Sequence, residues 1–87
     1  MNCTVQARIR RLKGGWKIAD PDDDSEYVST LHVAMSIVGD GKNGYHLVMK
    51  PEGCFAADEY YESIQAAKDD AADWFGVTDS DWTDRGM

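Results

Sequence analysis

Apolar and polar residues alternate from the start of the chain. Cys3, Val5, Ala7 and Ile9 fall on one parity, and Thr4, Gln6, Arg8 and Arg10 on the other. A period of two predicts a half-buried strand with a basic outer face. Lys13-Gly14-Gly15 interrupts the pattern and Trp16-Lys17-Ile18 resumes it, so a hairpin of residues 3–12 and 16–19 is expected. Asp20-Pro21 ends that strand. The stretch Asp20 to Glu26, with five acids in seven residues, reads as an exposed loop.

A second alternation sets Leu31, Val33, Met35 and Ile37 against Thr30, His32, Ala34 and Ser36. Residues 39–44 form the connection, with three glycines free to take positive φ. Tyr45, Leu47 and Met49 then share a face, with His46, Val48 and Lys50 on the other. Counting outward from a six-residue connection sets Val38 opposite Tyr45 and His46 opposite Ile37. Pro51-Glu52-Gly53 is a turn. Residues 54–61, CFAADEYY, are read as a last strand with Phe55, Ala57 and Tyr61 on one side, although Ala, Asp and Glu are poor strand formers.

The period changes after Ser63, a good N-cap. Ile64, Ala67, Ala71 and Trp74 follow at helical spacing, and Gly76 stands where a helix-ending glycine belongs. This predicts a helix over 63–75 with Gln65, Asp69, Asp70 and Asp73 on its outer face. Thr78 and Asp81 have capping-box spacing, and Val77 can staple to Trp82, which predicts one further turn tucking Trp82 inward.

The expected fold is α+β. An antiparallel sheet of four to five strands carries one main C-terminal helix packed on one face, in a single domain over residues 1–87. One short helix covers one face only. The other face carries Arg8, Arg10, His32, Ser36, His46 and Lys50 and is expected to be mostly polar.

Charge changes the picture. Residues 1–19 hold Arg8, Arg10, Arg11, Lys13 and Lys17 and no acid, while all 16 acids lie in residues 20–87, for a net charge of −7. Such a field selects partners more than it specifies a fold. It points to a basic protein surface as partner. It argues against direct nucleic-acid binding and against anionic membranes. A homodimer is compatible with it. Acids at Asp22, Asp23, Asp24 and Glu26 in the loop, and at Asp58, Glu59, Glu62, Asp69, Asp70 and Asp73 around the helix, are the candidate partner-binding residues; Asp79, Asp81 and Asp84 follow. Asp70 and Asp73 crowd the C-terminal half of the helix, where the dipole disfavours them, so a helix-stabilising role does not explain them.

Catalytic and metal chemistry is not expected. A domain this short has little core to spare for a substrate pocket. Asp20, Asp22 and Asp24 match the first ligand positions of an EF-hand loop, but Ser25 and Leu31 stand where its glycine and glutamate belong. His32, His46, Cys3 and Cys54 lack zinc-site spacing. Cys54 and the histidines carry no nucleophile signature. Gly39, Gly41 and Gly44 match a dinucleotide fingerprint by letters only, because they join two strands and open no helix. No cofactor is called for. Residues 1–19 have no apolar leader segment, so a cytoplasmic setting with two reduced thiols is expected.

The stretch Tyr60–Trp82, YYESIQAAKDDAADWFGVTDSDW, resembles the endings of small cytosolic and phage-encoded proteins, toxin-immunity-type proteins and other small inhibitors among them. The overall profile, short, acidic and without catalytic motif, resembles phage anti-CRISPR inhibitors. That resemblance implies an inhibitor that blocks a basic nucleic-acid-binding surface of a host defence complex, such as a CRISPR effector complex. The alternative resemblance implies a toxin-immunity protein that plugs one cognate toxin, anchored by aromatics such as Trp16, Tyr27 and Tyr60. Neither resemblance assigns a role to an individual residue by motif.

Overall fold

The computed structural model describes residues 1–83. The alternating segments form β1 (Asn2–Leu12), β2 (Gly15–Ile18), β3 (Val28–Asp40), β4 (Gly44–Pro51) and β5 (Ala57–Tyr61). They make one antiparallel sheet in the order β2-β1-β3-β4-β5. The helix α1 (Ile64–Phe75) packs against β4 and β5, and a short 3-10 turn follows at Asp79–Asp81. The fold is α+β, an antiparallel sheet plus one helix. Asp84 and Arg85 lie outside the described residues.

Strands β1 to β4 each give their apolar parity to one face. Ile9, Val33, Met35 and Leu47 are buried there with Ala67 and Ala71 of α1. Two alanines let the helix backbone approach the sheet closely. The most buried stripe of α1 is therefore Ala67 and Ala71, while Ile64 and Trp74 stay at its rim, 37% and 36% exposed.

The β3–β4 register corrects the count made from the connection. Val38 lies opposite His46 and Ile37 opposite Leu47, one residue away from that expectation. The strands run further than the glycines suggest, to Asp40 and from Gly44. The Asp40 carboxylate accepts the N–H groups of Lys42 (2.9 Å) and Asn43 (2.6 Å) and so closes the short turn between them. The physical reason for the register is burial. A one-residue slip would turn Tyr45, Leu47 and Met49 away from the core. Gly44 has φ 92°, and a Cβ there would overlap the ring of Tyr60.

Phe55 also departs from expectation. It lies outside β5 and is 82% exposed instead of sharing the inner side with Ala57 and Tyr61. Its carbonyl accepts the indole N–H of Trp16 at 2.8 Å, which ties the β4–β5 connection to β2.

The helix ends follow the sequence. Ser63 Oγ accepts the Ala66 N–H at 3.1 Å, and Gly76 ends α1 in the left-handed region at φ 71°. Asp81 accepts the Thr78 N–H at 2.8 Å, and Val77 and Trp82 are buried on either side of that turn. Thr83 then bridges Asn2 of β1. Cys3 is buried and Cys54 half-buried, and both are free thiols. Burial, then the nearby charge of Asp81, pushes the Cys3 thiol up to about 11.

Candidate functional site

Connectivity decides the fate of the first acidic cluster. β2 and β3 flank β1 on opposite sides, so residues 19–27 must cross β1. They cross its open face at Arg8 and Arg10. Arg8 donates to the carbonyls of Asp20 and Pro21, each at 3.1 Å, and to that of Asp23. Arg10 donates to Asp23 Oδ2 at 2.6 Å and to Ser25 Oγ at 3.1 Å, and its guanidinium lies 5.7 Å from the centre of the Tyr27 ring. The basic face expected of β1 is therefore occupied by this chain's own loop. The Ser25 N–H first, and the Arg10 hydrogen bond second, hold the Asp23 carboxyl below its ordinary value. Asp23 is a structural residue, half-buried in the crossing. Asp22, Asp24 and Glu26 are exposed and make no ion pair within 4.0 Å among the described residues, but the loop that carries them is held at Asp20, Pro21, Asp23 and Ser25 by Arg8 and Arg10.

The second cluster forms at the corner of β5 and α1. Glu59 lies across from Leu47 at the sheet edge, and Glu62 lies in the turn into the helix; both are exposed. Asp69 and Asp73 are one turn apart on the exposed side of α1. Gln65 Nε2 donates to Asp69 Oδ1 at 2.9 Å. Asp70 is different. It is half-buried and accepts the Tyr61 hydroxyl at 2.7 Å, so it joins helix to sheet. Burial raises the Tyr61 hydroxyl above its ordinary range, followed by the hydrogen bond and charge of Asp70 and then the charge of Glu59. Asp70 is the carboxylate bonded to that hydroxyl, and Glu59 acts on it only through its charge. Among the described residues, no ion pair within 4.0 Å involves Glu59, Glu62, Asp69 or Asp73. Lys68, half-buried, is the one cation of α1.

Asp58 belongs to neither cluster. It points to the open face with His46, whose Nδ1 is 3.9 Å away, and the His46 ring meets Tyr60 edge-on at 5.6 Å. The ten candidate acids therefore divide three ways. The loop and the β5–α1 corner lie at opposite edges of the sheet and on opposite faces, so they do not form one patch.

The structure also separates the imagined metal ligands. His32 and His46 are on the open face, while Cys3 is buried on the other. No group of three or more His, Cys, Asp or Glu side chains among the described residues is arranged to hold a metal ion. No helix of the described residues is long and apolar enough to cross a membrane.

Two features escaped sequence reasoning, the Arg8–Arg10 staple and the Tyr61–Asp70 bond. The first had a signal. An acidic run directly after a strand rich in arginine can fold back onto it. The second had none, because it depends on how α1 rotates over β5. The chain matches no family model, no curated protein and no solved structure.

Proposed function

We propose that this protein is a small acidic inhibitor that works by protein–protein binding, covering a basic nucleic-acid-binding surface of a host defence complex in the manner of phage anti-CRISPR proteins. The observation that carries the reading is the β5–α1 corner, where Glu59 on β5, Glu62 in the turn, and Asp69 and Asp73 on α1 are exposed without a cationic partner among the described residues. Carboxylates held this way can take the Lys and Arg that otherwise hold phosphates, with fast and salt-sensitive association. Asp70 holds the corner in shape. The loop acids contribute less, because Arg10 already holds the Asp23 carboxylate and Arg8 brings a second guanidinium onto the loop's carbonyls.

The exposed Tyr27 and Tyr60, 57% and 56% accessible, favour a second reading as a toxin-immunity protein anchored by aromatic contacts. Trp16 is not such an anchor, since it is half-buried with its N–H committed to Phe55.

The test is co-expression with a nucleic-acid-guided defence complex under challenge by a targeted phage. The parent protein should restore plating, and the triple variant E62K/D69K/D73K should lose that effect. Unchanged defence in the presence of the folded parent protein counts against the reading. Rescue from one toxin, sensitive to Tyr60→Ala and not to the triple variant, would favour the second.

A further inference from the structure

The tip of the β1–β2 hairpin stands over the β4–β5 connection, and together they enclose a half-open hollow of ≈ 220 Å³. Arg11, Leu12, Cys54, Phe55 and three glycines line it. It lies apart from both acidic clusters and plays no part in the function proposed above.

Two observations make it more than a packing gap. Phe55 is the most exposed large apolar side chain of the described residues, yet its backbone is fixed. Trp16 Nε1 donates to its carbonyl at 2.8 Å, and the neighbouring Cys54 N–H donates to the Pro51 carbonyl at 3.0 Å. A ring presented on a tied backbone adds only its own side-chain ordering, and no loop ordering, to the cost of binding. Arg11 is the only charged residue of the lining, and no carboxylate of the described residues lies within 4.0 Å of it. Its guanidinium reaches over Gly53, 4.0 Å from where a Cβ there would sit.

An aromatic wall, an aliphatic wall and one unpaired guanidinium select an anion on a compact apolar body. Arginine pairs best with planar anions such as carboxylate. The volume is below the roughly 300–1,000 Å³ of cofactor-sized sites, which limits the guest to about one side chain. We infer that this hollow binds a carboxylate carried on a single aliphatic residue, as in a free branched-chain acid or the C-terminal residue of a peptide.

The experiment follows amide shifts of the whole ¹⁵N-labelled chain. One titration uses N-acetyl-leucine, and a second uses N-acetyl-leucinamide, which keeps the apolar body and lacks the charge. N-acetyl-leucine should shift residues 11–15 and 53–55 with Kd on the order of 1 mM. The amide should bind at least about fivefold more weakly. R11Q should erase that difference, and F55A should weaken both ligands. Arg11 and Phe55 are exposed, so an unchanged melting temperature shows that neither variant acts through folding. A tripeptide ending in leucine with a free carboxylate separates the sources. Binding about tenfold tighter than N-acetyl-leucine assigns the site to a peptide terminus, and equal binding assigns it to a free acid. Equal affinity for acid and amide, shifts scattered away from the hollow, or an R11Q variant that still discriminates would overturn the inference.

Discussion

The Asp20–Glu26 loop and the β5–α1 corner are both runs of carboxylates, yet they meet different neighbours. The loop crosses β1, where Arg8 and Arg10 hold three of its carbonyls and the Asp23 carboxylate. The corner has one half-buried lysine, Lys68, in no ion pair among the described residues, and a tyrosine hydroxyl bonded to Asp70. Acid count in the sequence is therefore a poor measure of acid available to a partner. What a carboxylate can offer depends on what the fold has already set beside it, and on screening beyond about 8–10 Å. The segregation of bases and acids along the chain is in part an internal match, β1 against the loop. The corner, at the other edge of the sheet, has no such match for Glu59, Glu62, Asp69 and Asp73 among the described residues.

The most severe way to break the comparison is to undock the helix that carries the corner. Ala71 is fully buried, so A71E places a carboxylate in the core. A loss of at least about 3 kcal/mol is expected, most of the stability of a domain this small. Urea unfolding should show a much lower midpoint or no cooperative transition.

Next comes charge reversal. E62K/D69K/D73K should weaken binding of an oligo-arginine peptide by at least about tenfold, and D22K/D24K/E26K by about twofold or less. Both triple variants change exposed positions, so their melting temperatures should stay near the parent's. Fluorescence anisotropy at several salt concentrations measures this, and the corner variant should also show the flatter salt dependence.

A smaller effect is expected at the start of α1. S63A removes the hydroxyl that accepts the Ala66 N–H and should cost about 1 kcal/mol, read as a lower urea midpoint at unchanged slope.

The smallest effect belongs to the loop. A carboxyl whose folded pKa is depressed stabilises the fold above its ordinary value, and loses that contribution as pH falls through the folded value. The ordinary value for Asp23 is 3.8. The melting difference between the parent and D23N should therefore hold steady from neutral pH down to about pH 5 and close below about pH 4. A difference that grew in acid would mean that Asp23 does not serve Arg10 as described.

Much of this molecule was legible in local pattern. Period-two runs placed β1 to β4, and Ser63 and Gly76 bracketed the helix. Thr78, Asp81, Val77 and Trp82 specified the last turn by their spacing alone. Local pattern failed where the answer lay across the sheet. The three glycines of residues 39–44 suggested a wide loop, but pairing of Ile37 with Leu47 extended both strands into it. Phe55 looked like a strand residue because its neighbours alternate, but the tie from Trp16 turned its backbone out of line. For the site, the sequence picked out the acids and could not sort them. Asp23 and Asp70 look like their neighbours in the chain. Only the crossing over β1 and the packing of α1 on β5 make them structural.

The difference between corner and loop is read most directly from a shift map of the ¹⁵N-labelled protein with an oligo-arginine peptide at low salt. Perturbed amides are expected at residues 59–62 and along Gln65, Asp69 and Asp73, with residues 22–26 nearly silent. Equal or larger shifts in the Asp20–Glu26 loop would contradict this difference, because they would mean that Arg8 and Arg10 leave the loop's charge available to a partner.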